Sequence, residues 1–294
     1  MEKPRDEQCL RATRPSEITR PSLSIMWLFR TEHDHGTFPT IVVMLVTWVL
    51  SLSVSIYCAI LRSDNTTRTP VWDQNYLHPH ALTMDGIVAS FFWIALFLFQ
   101  LFCLVYAVLS LVPGYMNSIA NVTAHFVMSN VLHLVSAILY VSSQLAWAEA
   151  ALVLNFANMS SLYFRLADCP WLIRSSMASA PLAWAFFAML WNGAGLIQRV
   201  TNTVYSAGSI FLWWILCYGI FFALKYKDDV MCLSLSTLTT SVGLYHARHD
   251  AEFHQWVPPV VISAVLYAMY LVIFITRWQS HKLRKQASVV GVVG

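Results

Sequence analysis

Asn130 and His133 stand three residues apart within one long apolar run, and Asn155 and Asn158 do the same within the next. In a helix each pair shares a face. A third stripe is richer: in Pro181-Leu-Ala-Trp-Ala-Phe-Phe-Ala-Met-Leu-Trp-Asn192, the residues Trp184, Phe187, Ala188, Trp191 and Asn192 recur at i, i+3, i+4, i+7 and i+8. Lipid needs only apolar bulk, and an amide facing hydrocarbon without a partner costs several kcal/mol, so this face is expected to turn toward protein or a cavity. Gathered together, Asn130, His133, Asn155, Asn158, Trp184, Phe187, Trp191 and Asn192 would line an aromatic, amide-bearing pocket for a hydrophobic ligand. The same amides serve equally as interhelical hydrogen bonds, typically worth about 0.6 kcal/mol each.

Charged candidates are few. Glu149 lies near the start of an apolar run, where the positive end of the helix dipole favours a carboxylate, and on a helical wheel it points away from Asn155. Asp85 precedes another run and reads as a helix-start residue. Two histidine groups, His78-Pro-His80 and the set His246, His249, Asp250, Glu252 and His254, fall between runs and read as wet, charged loops, not as metal sites. The six cysteines form no CxxC pair and read as small core residues. No metal or cofactor is called for, and no GxSxG, Walker loop, HExxH or strand-borne GxGxxG is present.

These residues must be held by helices. With 57% hydrophobic and 11% charged residues and a mean hydropathy of +0.58, the chain is expected to be an all-α polytopic transmembrane bundle. A hydrocarbon core of about 30 Å needs about 20 apolar residues, and eight spans are expected near 40–61, 86–112, 122–141, 145–164, 178–198, 204–224, 229–246 and 257–277. The seventh is rich in Ser and Thr, which leaves a count of seven open. Eight spans with both termini cytosolic place fourteen of the 18 Lys and Arg inside, leaving Arg62, Arg68, Arg199 and Arg248 outside, as the positive-inside rule favours. Residues 1–38 are then a disordered basic cytosolic tail, 39–278 the membrane domain, and 279–294 a short basic cytosolic tail. The sequon at Asn65 falls in the first outer loop, where glycosylation is expected. The net charge of +3 sits mostly at the two ends and implies no nucleic-acid partner.

The run Ala146–Phe156, then Tyr163-Phe, then Pro181–Gly193 resembles a fungal family of multi-pass membrane proteins known only as a domain of unknown function, over about residues 86–277. The same part is similar, more faintly, to the tryptophan-rich sensory protein and translocator (TspO) family, whose W-x-x-F-A-x-x-x-N pattern is met by Trp184, Phe187, Ala188 and Asn192. That likeness implies a five-helix pocket for tetrapyrroles or sterols. It departs in Leu132, His133 and Leu134, where that family carries tryptophan, and in three additional spans.

Two readings of function follow. The first is a non-enzymatic membrane protein of unassigned activity that binds a sterol- or tetrapyrrole-class molecule between spans three, four and five. The second is an integral membrane enzyme on a lipidic or isoprenoid substrate with Glu149, His133 or Asp85 as acid or base. A transporter or scaffold subunit stands beside them. The bilayer is the expected partner, and a homo-oligomer is compatible with all three.

Overall fold

The computed structural model of the chain describes residues 37–60, 69–109, 113–166, 169–201, 206–249 and 251–290, all within the second of its two units, residues 36–294. The order is α1 (Thr37–Ile60), α2 (Val71–Leu77), α3 (Gly86–Leu109), α4 (Pro113–Val141), α5 (Leu145–Arg165), α6 (Trp171–Arg174), a π-helical turn (Ser175–Ser179), α7 (Ala180–Thr201), α8 (Ser206–Tyr226), α9 (Asp229–Arg248) and α10 (Phe253–Val290). Among the described residues there is no strand.

Six helices are long and apolar enough to cross a membrane, at Pro39–Ile60, Gly86–Tyr106, Val122–Val141, Trp171–Val200, Gly208–Tyr226 and Phe253–Ser280. The two further spans expected from the sequence, α5 and α9, are helical but too polar to join them. In α5 the cause is Glu149, Asn155, Asn158 and Arg165; in α9 it is a run of hydroxyls. Those hydroxyls are accommodated locally: Thr237, Thr239 and Thr240 each donate to the carbonyl four residues back, on Leu233, Leu235 and Ser236. Ser236 also donates to the Ser263 carbonyl of α10 at 2.9 Å.

The segment α6–π–α7 is the axis of the bundle. Its apolar stretch is 78% buried, against 22–39% for the other five. The α4–α5 hairpin closes as the sequence predicts, through Ser142, Ser143 and Gln144. Ser143 takes a left-handed φ of 60°, Gln144 N–H donates to Leu139 O, and Ser143 N–H donates to Tyr140 O, which together make a Schellman cap. Helix α10 continues through the basic segment expected to be a tail and ends at Val290. Asn65 and most of the expected amino-terminal tail lie outside the described residues.

The stretch Pro70–Gly86 overturns an expectation. The loop predicted to be wet folds down onto one end of the bundle: Asn75, His80, Leu82, Thr83, Met84 and Asp85 are all buried, while Asp73 and the run Tyr76–Pro79 stay exposed. Backbone polar groups pulled out of water need partners, and neighbouring helices supply them. Asp85 N–H donates to Ser241 O at 3.0 Å, Ser241 Oγ returns a bond to Asp85 O at 2.9 Å, and Gln198 Nε2 donates to Pro79 O at 3.0 Å. Gly208 permits the close approach of Ala81, because a Cβ there would come within 2.5 Å of the alanine methyl. We call this the capped end. The opposite, basic end carries Arg165, Arg174, Lys225, Lys227 and Arg277.

Candidate functional site

The α6–π–α7 stripe faces protein. Trp184, Phe187, Trp191 and Asn192 are all buried, at 6, 0, 5 and 1% exposure. Midway along the bundle, α1, α3, α4, α5 and α7 enclose a chamber of about 30 Å³. Six of its lining residues carry a buried polar atom for which the protein supplies no partner: Ser51 Oγ, Trp93 Nε1, Gln100 Oε1, Asn130 Nδ2, Asn155 Oδ1 and Trp184 Nε1. Two indole N–H groups and an amide N–H donate; two amide oxygens accept; the serine can do either. Left unmet, such groups cost about 1–3 kcal/mol each, a sum comparable with the whole stability of an ordinary domain. The chamber thus gathers buried donors and acceptors of the kind that water ordinarily meets in a protein interior, and its volume suits about two waters.

His133 forms the wall toward the capped end. Its Nε2 lies 3.0 Å from Ser55 Oγ, and its ring meets Trp93 and Trp184 edge-on at 5.9 and 6.4 Å. Trp93 and Trp184 themselves stand at 89°, 5.1 Å apart. Beyond these three rings lies a second cavity of about 30 Å³, reaching Tyr140 and Trp191. Beyond Tyr140 and Trp191, whose rings are 4.6 Å apart, lies a third of about 10 Å³, which reaches His78, His80 and Arg199 at the capped end. Adjacent cavities share their dividing aromatic residues, so the three form a line from that end to the polar chamber.

The sequence-predicted residues thus divide. Asn130, His133, Asn155 and Trp184 meet at the chamber, while Trp191 and Asn192 sit nearer the capped end. Trp191 Nε1 donates to Asn75 Oδ1 at 2.9 Å, and Asn192 Nδ2 donates to Leu145 O at 3.0 Å and to Glu149 Oε2 at 2.8 Å. Glu149, expected to point away from Asn155, shares a site with the amide of Asn192. Asn158 leaves the set and pairs with His125, donating to its carbonyl at 2.9 Å. Phe187 is core and borders none of the three cavities.

Sequence reasoning missed the contribution of α3. Trp93, Phe97 and Gln100 fall at i, i+4 and i+7, a stripe of the same kind as that of α7, and this spacing was the signal that could have found it. It also missed the approach of the two histidine groups. His80 and His246 are buried, with His246 Nε2 donating to Ala81 O at 3.3 Å and His80 Nδ1 accepting from Leu82 N–H at 3.2 Å. Burial, reinforced by the imidazole of His246, pushes His80 down to about 3 and keeps it neutral. Asp85 is the expected helix-start residue: its Oδ1 accepts from the Ile87 and Val88 N–H groups, and its other oxygen pairs with Arg248.

The basic end is held by two adjacent carboxylates. Asp228 Oδ2 accepts from Tyr163 at 2.8 Å and from Ser179 of the π turn at 2.7 Å, with Arg174 at 3.6 Å. Asp229 receives one guanidinium nitrogen of Arg277 on both oxygens, at 2.7 and 2.9 Å.

The described architecture is a helical bundle with several helices long and apolar enough to cross a membrane and a polar chamber at its centre. A family model described as fungal protein of unknown function (DUF1774) matches residues 207–291, which span α8, α9 and α10. That match lies beyond Ala146–Phe156 and Pro181–Gly193, on which the sequence resemblance was read. No curated protein and no solved structure matches the chain.

Proposed function

We propose that the chain is a multi-pass membrane protein of eight spans, both ends cytosolic, that admits a small uncharged polar solute from the capped end to a central chamber. In this reading α5 and α9 are the two polar spans. At 21 and 20 residues they are about 30 Å long, enough for a bilayer core. The Asn158 amide of α5 is spent on α4, and the hydroxyls of α9 on carbonyls of α9 itself and, through Ser236, on Ser263 of α10. The single observation that carries the solute reading is the convergence of six unpartnered buried polar atoms on one small chamber.

The size of the chamber supports a small ligand over a large one. About 30 Å³ is far below the several hundred Å³ of a drug-sized pocket, so a sterol or tetrapyrrole of the kind bound by the tryptophan-rich sensory proteins does not fit between spans three, four and five without parting the helices. A hydrogen-bonding solute of a few heavy atoms does. The enzyme reading needs acid and base together, yet Asp85, Glu149 and His133 each hold a separate partner: Arg248, Asn192 and Ser55.

The test is solute uptake into proteoliposomes, followed by stopped-flow light scattering with water, urea, acetamide and glycerol. Wild type should accelerate at least one of the four over protein-free vesicles, and Asn130→Leu should remove the acceleration. Rates equal to protein-free vesicles for all four would end the proposal.

A further inference from the structure

At the basic end a groove of about 860 Å³ opens where α10 passes α6 and the end of α8. One wall is apolar and outward-facing, with Leu224 72%, Val272 65% and Phe274 47% exposed. Where that wall stops, cations and indoles begin: Lys227 and Arg277, with Trp171 and Trp278 beside them. We propose that the groove is a binding site for an anionic phospholipid, with the phosphate at Lys227 and an acyl chain along Leu224, Val272 and Phe274. The proposal is independent of the chamber.

Lys227 is the cation left over at the rim. The guanidiniums of Arg174 and Arg277 are answered by Asp228 and Asp229, so those four groups cancel. Lys227 has no ion pair among the described residues and leaves the rim positive. Its backbone is a second, separate pointer. Lys227 ends α8 at φ 49°, a left-handed conformation that favours Gly or Asn, and it is clamped there by its own N–H on Ala223 O and by Arg277 Nη2 on its carbonyl at 3.1 Å. A turn alone would be cheaper with glycine, so the lysine side chain is the reason to keep a strained residue at this place.

The remaining features fit a lipid better than a free anion. Tryptophan pairs mark the level of the headgroups, and basic residues at that level attract anionic lipid. A soluble phosphate would use the rim and leave the apolar wall uncovered. Arg277 contributes twice over, since its guanidinium also stands over the Trp171 ring, 5.8 Å from the centre.

Thermal melts of the full-length protein in neutral detergent test this, titrating dioctanoyl phosphatidylserine, dioctanoyl phosphatidylcholine and glycerophosphoserine separately. Phosphatidylserine alone should give a saturable rise in melting temperature. Lys227→Gly relieves the backbone and should melt no lower than wild type without lipid, yet need about fivefold more phosphatidylserine for the same rise. Lys227→Asn should behave alike. An equal rise with phosphatidylcholine, a rise with glycerophosphoserine alone, or an unchanged phosphatidylserine titration in both variants would each overturn the proposal.

Discussion

Trp191 of α7 donates its indole N–H to Asn75 Oδ1 of α2, 2.9 Å away and 116 residues apart in the chain. The bond ties the central helix to the segment that covers the capped end. Asn75 is engaged on both ends, since its Nδ2 also donates to Met84 O at 2.9 Å. Trp191→Phe should therefore lower unfolding free energy by about 1 kcal/mol, and Asn75→Ala by about 2–3 kcal/mol, because the latter strands two buried partners. Denaturant unfolding in mixed micelles, with the double mutant to obtain the coupling, measures both.

Asn130→Leu should separate stability from function. It replaces an amide whose N–H group has no protein partner by a side chain of similar size, so stability should stay level or rise by about 1 kcal/mol. Solute uptake should vanish in the same variant. A loss of stability would show that the amide holds the bundle together instead.

His80 should make the capped end acid-sensitive. Its value is depressed to about 3 from 6.5, so the folded protein declines a proton that the unfolded chain accepts. The stability is fully present above about pH 6.5 and falls as pH drops toward 3, by about 1.4 kcal/mol per pH unit. The difference in unfolding free energy between wild type and His80→Gln should be flat above pH 6.5 and shrink steadily below it.

Gly208→Ala should dislodge the covering segment. The added methyl would lie 2.5 Å from the Ala81 Cβ, and such overpacking costs about 1–3 kcal/mol. Amide exchange should quicken at Ala81–Met84 before it does elsewhere, and Ala81→Gly should restore it.

Asp85 performs two tasks that substitution can pull apart. Asp85→Asn keeps the helix cap and loses only the ion pair with the half-exposed Arg248, for about 0–1 kcal/mol. Asp85→Ala loses the cap too and should cost about 1 kcal/mol more. Equal effects of the two would assign the stabilisation to the ion pair.

Much of this was readable in the residues because it depends on period and polarity alone. The inward face of α7 followed from Trp184, Trp191 and Asn192 at helical spacing, and the meeting of Asn130, His133 and Asn155 from two adjacent hairpin helices. What could not be read depends on tertiary pairing. Nothing local to Glu149 announces Asn192, and nothing near His80 announces His246, since each contact is made by segments far apart in sequence. The loop at His78-Pro-His80 also looked solvent-bound, but His80 is buried, Asn75 and Thr83 bond the backbone of Met84 and His80, and Asp85 reaches the ends of α3 and α9. The match to α8–α10 likewise lies where sequence reading found least chemistry.

The π-helical turn at Ser175–Ser179 carries one surplus residue, since its hydrogen-bonded loops span five positions instead of four. Excising a single residue there would let the helix relax to ordinary pitch, but would turn Trp171 and Arg174 by about 100° around its axis. The guanidinium would swing off Asp228 while Trp184 kept its place. The two ends of this helix are thus set in phase by the length of the turn, and an insertion or deletion there would do more harm than any exchange of side chains.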